Sequence, residues 1–122
     1  MNNLLEQRIS IRYKVDKKIK AMALTKSGHV ICQIDDISMG GIALSFENGK
    51  LKPFQPEEIS ILYQENFWGV SGLPVKLIWQ KEEGNTKGSL TRKKIGLCFQ
   101  NIGHKKKSQL KYFIKHFSKQ EN

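Results

Sequence analysis

Two cysteines in 122 residues are too few for a disulfide framework. Both, Cys32 and Cys98, sit inside apolar runs, where a free thiol behaves as a small hydrophobe. His29 with Cys32, or Cys98 with His104, supplies two metal donors without the second close pair that a tetrahedral site needs, so no metal is expected. Apolar runs are short, none approaching the roughly 18 residues that span a bilayer. The opening MNNLLEQRISIRYK lacks the apolar core of a secretory signal, and a cytoplasmic chain with no membrane span is the expectation. Catalytic pairings are missing as well. No Ser/His/Asp or Cys/His arrangement is evident, no paired carboxylates stand out, and His29 and His116 have no base–nucleophile partner in the pattern. A non-enzyme is expected.

Acidic residues are scarce too, 11 against 21 basic ones, which leaves a net charge of +10 and points to an anionic partner. Arginine is scarcer still: Arg8, Arg12 and Arg92 stand against 18 lysines. Lysine provides solvated charge, whereas the planar guanidinium makes bidentate contacts to phosphate or a base edge. Two of the three arginines lie four residues apart, which singles out the Arg8–Arg12 segment. Arg92 falls in a polar stretch and has no assigned role.

What remains is the composition of a globular domain, 39% hydrophobic and 26% charged, long enough for one core without a metal or disulfide staple. Apolar residues alternate at period two around residues 18–24, 29–34, 42–46, 59–63, 75–79 and 95–99, with turn signals such as Lys26-Ser27-Gly28, Gly40-Gly41 and Asn48-Gly49 between them. Six short strands at this spacing suggest an antiparallel barrel or sandwich. Period two groups Trp79 with Val75 and Leu77, so Trp79 reads as core. Leu110, Phe113, Ile114 and Phe117 then recur at helical spacing, one apolar stripe of a terminal helix. Lys105, Lys106 and Lys107 fall in its first turn, where the helix dipole disfavours cations. Residues 81–94 read as a long polar hairpin loop. The expected organisation is a single domain over 1–122: a flexible N-terminal segment over 1–16, a barrel over 17–100 and a helix over 104–119.

The chemistry concentrates in two motifs. Arg8-Ile9-Ser10-Ile11-Arg12 is followed some two dozen residues later by Asp36-Ile37-Ser38-Met39-Gly40-Gly41 at a strand junction. An arginine fork suits the O6 and N7 acceptors of guanine. A carboxylate such as Asp36 suits its N1–H and exocyclic amine, Ser38 adds a short hydroxyl, and glycine admits close backbone approach. A single acidic residue among so many bases is odd for a plain phosphate site, and it makes sense where a base edge is also read. By composition alone the arginine pair arises in about a quarter of chains this long and the second motif in roughly 5%. Both together, in order and on a matching strand pattern, fall well under about 1%.

Arg-x-x-x-Arg followed by Asp/Asn-x-Ser-x-x-Gly resembles the signature of PilZ domains, which bind cyclic di-GMP. The likeness continues through Val75 to Trp79 and Gly96 to Phe99, covering about Glu6 to Phe117. It implies a mainly β fold, a six-stranded antiparallel PilZ-like β-barrel with a C-terminal α-helix. It also implies a cyclic di-GMP receptor that changes conformation and signals in trans, through an unidentified downstream protein, to motility, pilus or exopolysaccharide machinery. Cyclic di-GMP is then a ligand, with no cofactor. By the same resemblance Arg8 and Arg12 clasp phosphates and guanine edges, Asp36 and Ser38 hydrogen-bond a guanine, and Gly41 keeps the turn tight. Gly40 and Trp79 are secondary candidates, and Gln7 stands where family members often carry another arginine. Two other readings compete: a ligand-free PilZ-like interaction module, and a basic barrel that binds nucleic acid. The intact motifs disfavour the first. Phe113 and Phe117, committed to the helix stripe rather than interleaved with lysines, disfavour the second.

Overall fold

The structure is a computed structural model that describes residues 11–48, 55–63, 67–83 and 91–120. Among the described residues eight strands and one helix follow in chain order: β1 Tyr13–Val15, β2 Lys20–Thr25, β3 Gly28–Ile37, β4 Gly41–Asn48, β5 Glu58–Tyr63, β6 Phe67–Glu83, β7 Thr91–Phe99, α1 His104–Phe117 and β8 Ser118–Gln120. The pairing runs β2-β5-β6-β7-β4-β3, and a β2–β3 ladder closes the ring. The result is the expected six-stranded antiparallel barrel with a C-terminal helix. Closure removes the free edges that an open sheet of this size would present.

Alternation decides what fills the barrel. Ala21 and Ala23 of β2, Ile59 and Ile61 of β5, and Leu44 of β4 face inward and are fully buried, while Met22, Leu24 and Lys20 take the other face. The two alanines lie opposite Cys32 and Val30 of β3, small against larger, as a narrow barrel interior requires. Among the described residues no helix is long and apolar enough to cross a membrane.

The helix packs on β6 and adds its apolar stripe to the core. Leu110, Phe113 and Ile114 are buried, each contributing about 1.5–3 kcal/mol of apolar burial. Phe113 lies against Gly69 of β6, and Phe117 stacks at a tilt on Tyr63, with ring centroids 4.1 Å apart. Its first turn has no acidic residue and no side-chain cap. One of the three lysines there has a structural use: Lys106 Nζ donates to the carbonyl of Ser71, at the bend in β6 where Gly72 has φ +66°. Ser60 Oγ accepts from the Gly72 amide at 3.0 Å and holds the same bend.

Several elements depart from the sequence expectations. Tyr13–Val15 of the N-terminal segment forms β1, and residues 1–10 of that segment lie outside the described residues. The helix ends at Phe117 because Ser118–Gln120 becomes β8, paired with β1 through Val15↔Ser118, Lys14↔Lys119 and Tyr13↔Gln120. Much of the expected 81–94 loop is strand: Lys81, Glu82 and Glu83 pair with Lys94, Lys93 and Arg92 beyond the apolar part of the barrel. Trp79 is not core. A bulge pairs Leu77 with Leu97 but Trp79 with Gly96, so Ile78 is the extra residue, period two breaks, and Trp79 stands 45% exposed.

Candidate functional site

The junction of β3 and β4 is built around Ser38. Its amide donates to the Gly41 carbonyl at 2.8 Å. Its Oγ accepts from the amides of Gly40 and Gly41 at 3.1 and 3.2 Å. One buried hydroxyl therefore ties down two donors that the tight Met39-Gly40 turn leaves free. β7 clamps the turn from the side, the Phe99 amide donating to the Gly40 carbonyl at 3.0 Å. A Cβ at Gly41 would strike the Leu97 carbonyl oxygen. Glycine is thus demanded by the close approach of β7, a reason that alternation in the sequence does not reveal.

Asp36 reaches the surface because β3 is bulged. Ile34 pairs with Leu44, but Asp36 pairs with Ala43 and Ile37 with Ile42, leaving Asp35 as the extra residue. In an unbroken strand Asp36 would share the inward face with Ile34. The bulge puts Ile37 in the core instead, fully buried, and turns Asp36 outward. Across from it Arg12 Nη1 donates to Asp36 Oδ1 at 2.7 Å, with side chains 60% and 20% exposed respectively. Tyr13, the next residue, pairs with Ile37 and sets β1 beside β3.

Arg12, Ser38, Gly40, Gly41 and Trp79 line one open groove of about 400 Å³, together with Ile42, Ala43, Ile78, Gly96, Leu97 and Cys98. Asp36 borders it through its bond to Arg12. Gly96 has no side chain, and the Trp79 indole lies where its Cβ would be. The groove thus combines a guanidinium, a carboxylate, a small hydroxyl and an exposed aromatic ring. That set can grip a planar, anionic, hydrogen-bonding ligand. Two larger grooves, of about 530 and 560 Å³, contain none of the motif residues. Arg8 and Gln7 lie outside the described residues.

A family model of the PilZ domain matches residues 6–116. The chain belongs to the PilZ domain family. Solved PilZ structures share its fold: the PilZ domain of YcgR from Escherichia coli, solved with cyclic di-GMP, has a TM-score of 0.69 at 16% identity, with 91% of each chain covered. The K. pneumonia MrkH–cyclic di-GMP complex has a TM-score of 0.66 at 15% identity, covering 88% of this chain and 51% of that one. PlzA of Borreliella burgdorferi, in complex with cyclic di-GMP, has a TM-score of 0.53 at 15% identity, covering 84% and 46%. The chain spans about half the length of MrkH and PlzA. No curated protein matches it in sequence.

Sequence reasoning missed Arg92. It stands on β7, half-buried, with Nη2 donating to Ser45 Oγ at 2.9 Å and to Gln33 Oε1 at 3.3 Å. Ser45 Oγ in turn donates to Asp35 Oδ1 at 3.0 Å. The only signal for it was its rarity, an arginine in a chain that otherwise writes lysine.

Proposed function

We propose that this PilZ domain is a cyclic di-GMP receptor whose ligand seats in the Arg12–Ser38–Gly41–Trp79 groove. The observation that carries the reading is the Arg12–Asp36 contact. Two motif residues 24 apart in sequence meet at 2.7 Å beside the groove, and the family to which the chain belongs includes structures solved with that ligand. Asp36 offers its carboxylate to the N1–H and amino group of a guanine. Arg12 exchanges one Asp36 contact for phosphate oxygens or the O6/N7 edge. Its exposed ion pair is worth about 0–1 kcal/mol, so a ligand offering several charge-assisted bonds displaces it readily. Trp79, its indole laid over Gly96, supplies a stacking surface, Gly40 and Gly41 keep the turn close, and Arg8, with Gln7 before it, comes over the ligand from the N-terminal side.

Binding redirects Arg12 and with it β1, which joins β3 through Tyr13 and β8 through three residue pairs. The change is delivered in trans to a downstream protein of motility, pilus or exopolysaccharide machinery. The chain acts by binding rather than by catalysis, in the cytoplasm. Titration calorimetry of the purified chain with cyclic di-GMP, GMP and a linear oligonucleotide tests this. Saturable heat at micromolar protein with the cyclic dinucleotide alone is expected. No heat leaves the ligand-free interaction module as the reading. Equal, steeply salt-dependent binding of the oligonucleotide favours a nucleic-acid barrel.

A further inference from the structure

We infer that Arg92, acting through Ser45 and Asp35, is a positioning residue that holds Asp36 outward at the border of the proposed ligand groove. The inference rests on the receptor reading for its affinity test and on the ligand-free geometry for the rest. Asp36 faces outward only because Asp35 is bulged out of register, and a bulge leaves its extra residue outside the ladder. Here the extra residue is held by its side chain. Asp35 Oδ1 accepts from Ser45 Oγ at 3.0 Å. The Ser45 oxygen accepts from Arg92 Nη2 at 2.9 Å, and the same nitrogen reaches Gln33 Oε1 at 3.3 Å. The chain of contacts crosses three strands: Gln33 and Asp35 on β3, Ser45 on β4, Arg92 on β7.

Charge and burial both require this arrangement. Ser45 is fully buried, and its hydroxyl is satisfied only because Arg92 donates to it while it donates to Asp35. Asp35 and Asp36 are adjacent carboxylates, either of which could in principle meet Arg12. Engaging Asp35 on the Arg92 side leaves Asp36 as the acceptor offered to Arg12 and to a base edge. Both contacts leave from the single nitrogen Nη2, whose two N–H groups are fixed in the guanidinium plane; a lysine would keep the charge but bring a freely rotating ammonium without that fixed aim. That need accounts for one of the chain's three arginines standing away from the ligand motif.

The test is cyclic di-GMP titration of the full chain as wild type, Arg92→Met, Arg92→Lys, Asp36→Ala and Asp36→Ala/Arg92→Met. Arg92→Met is expected to weaken binding about tenfold, with Arg92→Lys, which keeps the charge and the fold, also measurably weaker. In the Asp36→Ala background the Arg92 change is expected to add little, because the group it aims is gone. Additive losses, or wild-type affinity in both Arg92 variants, overturn the inference. A ligand-free readout separates its failure from that of the receptor reading. The backbone amide resonances of Asp36 and Ile37 and the Arg12 side-chain N–H should move in Arg92→Lys and Arg92→Met. If wild type binds no cyclic di-GMP, the receptor reading fails and these resonances alone decide. Unmoved signals overturn the positioning role.

Discussion

Ser38 and Arg12 face the same groove but are held in opposite ways. Ser38 is 6% exposed, with its amide and hydroxyl both bound into the turn and the turn clamped by β7. Arg12 has a side chain 60% exposed and touches the groove wall through one ion pair, just ahead of a three-residue strand joined to β3 at Tyr13. One side of the site is therefore built with the barrel, and its geometry is fixed before any ligand arrives. The other side rests against it. Under the proposed function a site divided in this way would bind by completing itself, and the loosely held half would be the part that reports binding.

If that division is right, damage to the fixed half should appear as lost stability and damage to the hung half as lost affinity. The largest effect is expected for Gly41→Val, whose side chain must displace the Leu97 carbonyl and the β4–β7 register. About 3 kcal/mol of unfolding free energy should be lost in urea denaturation. Next is Arg12→Ala, which should cost roughly 1.5–3 kcal/mol of cyclic di-GMP affinity, about 10- to 100-fold by calorimetry. Arg12→Lys should fall between this variant and wild type, since an ammonium cannot reproduce the fork. Ser38→Ala strips two turn amides of their acceptor and should lower stability by about 1–2 kcal/mol. Smallest is the effect of Arg12→Ala on the urea midpoint of the ligand-free protein, within about 0.5 kcal/mol for so exposed a pair. A large stability loss there would erase the distinction between the halves.

The barrel strands and the helix were legible because their apolar residues recur at periods of two and 3.6 over enough residues to stand out. That Arg12 and the Asp36–Gly41 turn belong to one site was expected from the PilZ resemblance, with their approach tied to ligand binding; in the structure the Arg12–Asp36 bond already joins them. The unread parts share physical causes. β1 and β8 are three residues each, too short to show a period, and they exist because they pair with each other. The hairpin beyond Gln80 is polar on both faces, so nothing apolar marks it as strand. Most consequential are the bulges at Asp35 and Ile78. Each reverses which side chains face out, moving Asp36 to the surface and Trp79 out of the core. Neither carries a glycine or proline to announce it. Arg92 was invisible as a working residue because its partners lie on other strands, 47 and 59 residues away.

The two cysteines, unremarkable as packing, give the molecule a built-in optical handle. Cys32 is buried, and burial pushes its thiol from 9.0 up to about 12, so at pH 8 it offers almost no thiolate. Cys98 is half-buried and lines the groove between Arg12 and Trp79, the proposed ligand site. A thiol-reactive dye is therefore expected to label Cys98 ahead of Cys32, at a residue that lines the groove. Occupancy can be followed on the native chain, without engineering a reporter, as protection of Cys98 from alkylation or as a change in the emission of the attached dye.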